Sequence, residues 1–337
     1  MRDVKLPGTD LMVSALGLGC MNLTDGYGPV DRDQATAVLR SAFDIGVRFW
    51  DTADAYGHGA NELLLGEFLT TVPRDEVVIA TKFGGVFDPE TKQPTGVRGD
   101  VEYVREACEA SLRRLGTDHI DVYYQHLPDV NVPIEETVGA MAELVAAGKI
   151  RYIGLSNLGT AQLRAAQQVH PIAAVQNEWN LFYRNVESAV VPTCAELGIA
   201  FVPYAPLGRG VLTGSHATAA ELAAEDERRM FPRFAAGNVQ HNAALLAPVH
   251  RLAEARGATP AQIALAWLFQ RSEVHDLTVV PIPGTKQRAR LEENAAAIDI
   301  QLTNDELATL ENIADQVAGD RLPELPAELR HLMPEIA

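Results

Sequence analysis

Short apolar runs of strand length alternate with longer stretches of helical period from one end of the chain to the other. Eight runs stand out: ALGLGC (15–20), VRFWD (47–51), VVIATK (77–82), IDVYYQH (120–126), IRYIGLS (150–156), IAAVQ (172–176), IAFVPY (199–204) and LTVVPIP (277–283). Helical patterns fill the intervals over 31–45, 60–70, 100–115, 134–147, 160–169, 187–197, 260–271 and 286–297. Asp31 and Asp100 supply N-cap chemistry, and Gly46 and Gly116 supply C-terminal stops. Several strand runs are nearly continuous in Val, Ile and Ala, which indicates burial on both faces and a parallel sheet with helical crossovers. Eight such units predict a closed α/β barrel, the (β/α)8 TIM barrel. The rival, a doubly wound open sheet, would carry a glycine-rich turn between a strand and a helix near its start.

Two segments fall outside the count. KLPGTDLMVS, around Gly8, predicts an N-terminal hairpin capping the barrel floor. TNDELATLENIAD (303–315), with Glu306 three residues after Thr303, predicts an extra C-terminal helix, followed by the proline-rich tail LPELPAELRHLMPEIA. The long insertions 22–30, 84–99 and 205–237 each follow a strand and so belong to the catalytic face of a barrel. Length alone suggests two domains, but one barrel accounts for nearly all 337 residues, so 1–337 is read as a single barrel domain.

Charge narrows the class. With 45 acidic and 28 basic side chains the formal charge is −17, which argues against broad affinity for nucleic acid or an anionic membrane. No run of about 18 apolar residues marks a membrane span, and the start lacks a signal-peptide pattern, so a cytoplasmic location is expected. Cys20, Cys108 and Cys194 are far apart and form no CxxC pair, so buried thiols are expected, not disulfides. His119 and His126 lack HxH or HExxH spacing, and no metal is expected. GRGVLTG (208–214) is not a dinucleotide fingerprint: its third glycine is one position late.

The informative polar residues end the strands: Asp51 the second, Lys82 the third, His126 the fourth, Ser156 and Asn157 the fifth, Gln176 the sixth and Tyr204 the seventh. All should meet on one rim, with Tyr56 turning back over it. Each has a packing explanation alone; their shared location does not. A tyrosine with a pKa near 10 needs a neighbouring cation to favour the phenolate, and Lys82 with Asp51 beside it would supply one. His126 could then hydrogen-bond a substrate oxygen. That set suits protonation of a carbonyl oxygen while hydride arrives at carbon.

VRFWDTADAYGHGANELLLGEFL, ATKFG, DVYYQH, GLSN, AVQNEWN, VPYAPLGRGVLTG and IPGTKQRARLEEN resemble the signature segments of the aldo-keto reductase superfamily, in the bacterial and fungal branches related to potassium-channel β subunits. The resemblance covers almost the whole chain. It implies an (α/β)8 barrel, NADP(H) and a catalytic tetrad falling on Asp51, Tyr56, Lys82 and His126. It also implies that Ser156, Asn157 and Gln176 bind the nicotinamide carboxamide, that Tyr204 stacks on the ring, and that Leu207, Gly208 and Arg209 line the pyrophosphate. Gly284, Thr285, Lys286, Arg290, Glu293 and Asn294 fall in the region used for the adenosine 2′-phosphate and adenine. Arg290, helped by Lys286, is the basis for preferring NADPH to NADH. Ala205 departs from the Ser that many relatives carry.

The expected function is NADPH-dependent reduction of a small aldehyde or ketone by a monomer or weak homo-oligomer. A cofactor-loaded barrel that regulates a partner is the competing class, with no N-terminal extension to support it. Tyr27, Trp50, Phe87 and Phe231 are candidate apolar walls for substrate. Arg209, Lys286, Arg288 and Arg290 form the expected positive island for an anionic cofactor.

Overall fold

The structure is a computed structural model that describes residues 1–24, 26–88, 90–214 and 217–323. The tail from 324 onward lies outside the described residues. The chain opens with the expected hairpin, β1 (Asp3–Lys5) and β2 (Met12–Ser14), which pair antiparallel. Then follow β3 (Leu18–Gly19), α1 (Arg32–Asp44), β4 (Phe49–Asp51), α2 (Ala60–Leu69) and β5 (Val78–Phe83). A second hairpin, β6 (Gly85–Phe87) and β7 (Pro94–Val97), occupies the insertion after β5. The alternation resumes with α3 (Val101–Leu115), β8 (Ile120–Gln125), α4 (Ile134–Ala146), β9 (Ile150–Ser156), α5 (Thr160–Val169), β10 (Ile172–Gln176), α6 (Val190–Leu197) and β11 (Ala200–Phe201). Helices α7 (Ala236–Leu245), α8 (Ala247–Arg256), α9 (Pro260–His275), α10 (Arg288–Ala296) and α11 (Asn304–Leu310) complete the described chain.

Seven strands form one parallel sheet in the order β11-β10-β9-β8-β5-β4-β3. The eighth is segment 277–283, which closes the (β/α)8 barrel although prolines interrupt its ladder. On one side Val280 and Ile282 donate to the carbonyls of Phe201 and Pro203 at 2.9 and 3.2 Å. On the other, the carbonyls of Pro281 and Pro283 accept from Gly17 and Gly19 at 2.9 and 3.2 Å. A proline has no N–H to give, so it fits where only its carbonyl is needed. Gly19 is required at this seam, because a Cβ there would sit 2.7 Å from the Ile282 carbonyl oxygen.

Strand parity builds two cores. Phe49, Ala80, Val122, Tyr124, Ala174, Ala200, Val202, Val280 and Ile282 point into the barrel, and Leu6, Leu11 and Val13 of the hairpin plug its floor. Their neighbours Trp50, Ile79, Tyr123, Val175 and Phe201 point outward into the larger core beneath the helices. Small and large residues alternate inside: Gly154 leaves the space that the Tyr124 ring fills, since a Cβ on it would lie 2.4 Å from that ring.

The capping signals hold. Asp31 accepts from the backbone of Asp33 and Gln34, Asp100 from that of Tyr103, and Thr303 with Glu306 makes a full capping box on α11. The sequence pattern assigned no element to 238–258, where α7 and α8 pack through Val239, Leu246, Val249 and Ala253. Those four have helical spacing, diluted by alanines on the remaining faces.

Two glycine substitutions should move stability in opposite directions. Gly154→Ala forces the new methyl into the Tyr124 ring and should cost about 1–3 kcal/mol, typical of an overpacked core. Gly139→Ala, in the middle of α4 with nothing within 4 Å of its Cβ position, should gain about 0.5–1 kcal/mol. Urea midpoints of the two variants against wild type check both signs.

Candidate active site

Parity also places the polar groups. Asp51 and Lys82 follow the inward residues Phe49 and Ala80 by two positions, so both enter the barrel at its upper end. Lys82 is fully buried and Asp51 nearly so. The Lys82 ammonium has three protons, and each has a partner: the Asp51 carboxylate, the Thr52 carbonyl at 2.8 Å and the Tyr56 hydroxyl oxygen at 3.2 Å. Burial alone would discharge this lysine, but Asp51 and Tyr56 more than offset it and hold its pKa above the ordinary value. Gln176 donates to the second Asp51 oxygen at 2.7 Å, which fixes the carboxylate from the other side.

Tyr56 reaches the rim through a tight turn over Tyr56–Gly59 in which Gly57, His58 and Gly59 all have positive φ. Behind the turn, Asn61 accepts from Thr52 at 2.7 Å and donates to the Cys20 carbonyl at 2.8 Å. Glu62, wholly buried, accepts from Thr81 and from Arg114 at 2.6 Å each. Thr81 adjoins Lys82 on β5, so this network fixes the strand that carries the lysine. Burial, and then Glu62, push the nearby Asp54 carboxyl up to about 8.

Because its oxygen accepts from Lys82, the Tyr56 hydroxyl keeps its own proton for another partner. Lys82 pulls its pKa down as expected, but burial outweighs that pull and pushes it up to about 12, so the phenol holds its proton at neutral pH. His126 follows β8 and meets Tyr56 edge-on, ring centres 5.8 Å apart. Burial, then the Lys82 cation, push it down to about 3, which makes it a neutral imidazole. His119 lies at the opposite end of the same strand, roughly 23 Å away.

The residues after the next strands converge on the same rim. Ser156 donates to the Gln176 carbonyl at 2.7 Å, and Asn157 donates to the His126 carbonyl at 3.0 Å. The Tyr204 hydroxyl donates to the Asn157 side-chain oxygen at 2.8 Å. Positive φ values at His58, Asn157, Ala205 and Arg209 put four of the six such non-glycine residues described on this rim. Strain of that kind persists where surrounding structure fixes it and clusters at functional sites. Between 205 and 210, Gly208, Arg209 and Gly210 share the left-handed conformation in a tight turn whose Gly208 and Gly210 amides donate to the Ala205 and Leu207 carbonyls at 2.9 and 3.0 Å. An aromatic ring and amide side chains meeting beside this tight turn fit a nicotinamide dinucleotide.

The segment expected to take the adenosine is more occupied than expected. Lys286 donates to the carbonyls of Tyr27, Gly28 and Pro29 at 2.7, 2.6 and 3.1 Å, which binds loop 26–30 to the last strand. Arg288 pairs with Glu292, and Glu293 accepts from Thr259 at 2.6 Å. Arg290 is exposed, Gly284 is exposed, and Thr285 and Asn294 are buried. The positive island therefore reduces to Arg209 and Arg290, with Lys286 acting on loop carbonyls.

Among the candidate walls, Phe87 meets His58 edge-on at 5.0 Å on the rim. Tyr27 receives a hydrogen bond from Arg209 at 3.3 Å, and Phe231 lies under the same guanidinium at 4.3 Å, so both stand beside the 208–210 turn. Trp50 is corrected: it is wholly buried on the outer face of β4, meets the Phe68 ring of α2 at a tilt with centres 5.4 Å apart, and donates to the Val47 carbonyl. With Asp51 inside, its neighbour must face out. The three cysteines are free and buried, and among the described residues no group of three metal ligands forms. No described helix is long and apolar enough to cross a membrane.

The sequence reading missed Glu62, Arg114, Glu178, Arg233 and Arg321. Glu178, in AVQNEWN, is buried two residues beyond Gln176, and a carboxylate there needs partners; that parity was the available signal.

The sequence model of the Aldo/keto reductase family matches residues 15–315. The chain is 44% identical over 310 residues to "Probable aldo-keto reductase 1" of Glycine max, covering 91% of this chain and 87% of that one. Among solved structures, glycerol dehydrogenase from Gluconobacter oxydans superposes with a TM-score of 0.81 at 26% identity, covering 99% of this chain and 97% of the other. A thermostable aldo-keto reductase solved with the inhibitor epalrestat gives 0.72 at 29%, covering 93% and 100%. The chain belongs to the aldo-keto reductase family.

The His126 shift carries a sign for stability. Its unfolded form takes up a proton below pH about 6.5, whereas the folded form does so only near 3, so folding loses stability as pH falls through that window. The loss is at most about 1.4 kcal/mol per pH unit. Between pH 7 and 5 the stability of His126→Asn should therefore fall by about 1–2 kcal/mol less than that of wild type, read from urea midpoints at the two pH values.

Proposed function

We propose that this aldo-keto reductase reduces aldehydes or ketones to alcohols with NADPH, using Tyr56 as the proton donor. The observation that carries the reading is the allocation of the Lys82 protons: one rests on the Tyr56 oxygen, so the Tyr56 proton is directed outward. When bound, NADPH would supply hydride to the carbonyl carbon. Tyr56 gives its proton to the carbonyl oxygen, and Lys82 stabilises the phenolate left behind. Asp51 keeps Lys82 charged and aimed, while Gln176 and the Thr52 carbonyl keep that pair from rotating. His126, neutral, donates from its ring to the same carbonyl oxygen and orients it.

Ser156, Asn157 and Gln176 would hold the carboxamide and Tyr204 the ring face. Leu207, Gly208 and Arg209 would face the pyrophosphate, with Gly284, Thr285, Lys286, Glu293 and Asn294 around the adenosine. Gln176 would serve both neighbours, since its amide nitrogen is already on Asp51 and its oxygen can accept. Arg290, exposed on the first turn of α10, is the residue for a 2′-phosphate. In this reading the whole chain is one barrel domain, acting in the cytoplasm on a small carbonyl compound as a monomer or weak homo-oligomer.

Tyr56→Phe should lower kcat for a reactive aldehyde by at least about 100-fold with its fold intact, followed by NADPH absorbance. Wild-type turnover in that variant would defeat the proton-donor assignment. Arg290→Ala should weaken NADPH binding by about tenfold and leave NADH binding unchanged, read by fluorescence titration with each cofactor.

A further inference from the structure

Three arginines distant in sequence meet one buried carboxylate beside the rim. Glu178, 1% exposed, lies 3.8 Å from Arg209, 3.7 Å from Arg233 and 3.4 Å from Arg321. Glu178 is the one carboxylate within ion-pair distance of these three among the described residues. Among the described residues, three guanidiniums against one carboxylate leave two positive charges in a poorly hydrated place, and such an excess favours an anionic ligand. Burial, reinforced by Arg209 and Arg321, pulls the Arg233 pKa below the usual arginine value against the attraction of Glu178. The arginines keep 10–16% of their side chains exposed, against 1% for Glu178.

The three divide by direction. Arg209 turns to Tyr27 and Phe231. Arg321 donates to the Tyr204 hydroxyl at 2.9 Å and lies over the Tyr183 ring at 4.9 Å. Arg233 donates to the carbonyls of Phe182 and Gly319 at 3.3 and 3.4 Å, which ties it to the segment carrying Arg321. From Arg321, hydrogen bonds run through Tyr204 and Asn157 to the His126 carbonyl, so the guanidinium stands no more than about 11 Å from that residue's backbone. A short bifunctional molecule spans that gap. If Arg209 serves the cofactor pyrophosphate, Arg233 and Arg321 face Glu178 with one positive charge over, which matches a monoanion.

We infer that Arg233 and Arg321 form an anion subsite, so that the favoured substrates are small carbonyl compounds bearing a carboxylate. Glu178 acts as a positioning residue that holds the two guanidiniums side by side. The inference rests on the carbonyl-reductase reading of the same rim and adds the substrate class to it.

The test compares 4-carboxybenzaldehyde with its neutral methyl ester, methyl 4-formylbenzoate, using NADPH. Wild type should prefer the carboxylate by at least about tenfold in kcat/KM, mostly through KM. Arg321→Gln and Arg233→Gln should each remove most of that ratio, and Arg321→Lys should retain part of it. Inorganic phosphate should compete with 4-carboxybenzaldehyde on the wild-type enzyme, a readout that needs no variant. A wild-type ratio near one, with the ester turned over, overturns the subsite and leaves the reductase standing. Failure to reduce either aldehyde overturns the reductase reading and this one with it. If the glutamine variants weaken NADPH binding and leave the carboxylate ratio intact, the arginines belong to the cofactor and the inference is wrong.

Discussion

Everything on the upper rim depends on one ammonium group in the wrong solvent. Lys82 is fully buried in a barrel lined by aliphatic and aromatic side chains, where an isolated charge would be discharged. It stays charged because all of its protons are met, and those partners fix in turn where Asp51, Thr52 and Tyr56 stand. Removing either member of such a buried pair typically costs about 3–5 kcal/mol, since the survivor is left uncompensated. The supporting layer follows the same logic. Thr81, Glu62 and Arg114 hold β5 from outside, and Gln176 holds Asp51 from across the barrel, so the lysine cannot relax away from the tyrosine.

The parts of this arrangement that are periodic were legible. Runs of Val, Ile and Ala between capped helical patterns are enough to place eight strands, and their last residues are enough to place Asp51, Lys82, His126, Ser156 and Gln176 on one rim. Trp50 was legible too, had its parity with Asp51 been applied; its size suggested a pocket wall, and its position forbids one. The eighth strand is legible as an apolar run but not as a ladder, because Pro281 and Pro283 contribute carbonyls alone. Tyr27, Phe231 and Lys286 were not legible in their actual roles. They sit in loops whose paths are set by contacts with one another across the barrel mouth, and no local period encodes those contacts. The meeting of Glu178 with Arg233 and Arg321 is further still from sequence logic, since the partners come from a turn and a terminal segment.

Net charge misleads unless it is resolved in space. The chain carries −17 overall, yet the groups nearest its rim are cations held in place by single acids. Surface pairs such as Arg164 with Glu196 and Arg256 with Glu306 are exposed and contribute little. Inside, a lower dielectric makes each unmatched charge count for more. The acidic excess is a sum over the whole chain, whereas the guanidiniums and the lysine are charges held at the rim itself.

The seam at Gly17, Gly19, Pro281 and Pro283 has a bearing on how the chain comes together in time. It joins residues roughly 260 positions apart, so the ring of strands cannot close until nearly the whole polypeptide has left the ribosome. Until then β3 and β11 are open edges beside an apolar interior. The two prolines leave the closing segment short of free N–H groups, which makes it a poor template for pairing with a neighbouring chain. A strand that is weak as a ladder is, for the same reason, a safe one to leave exposed until last.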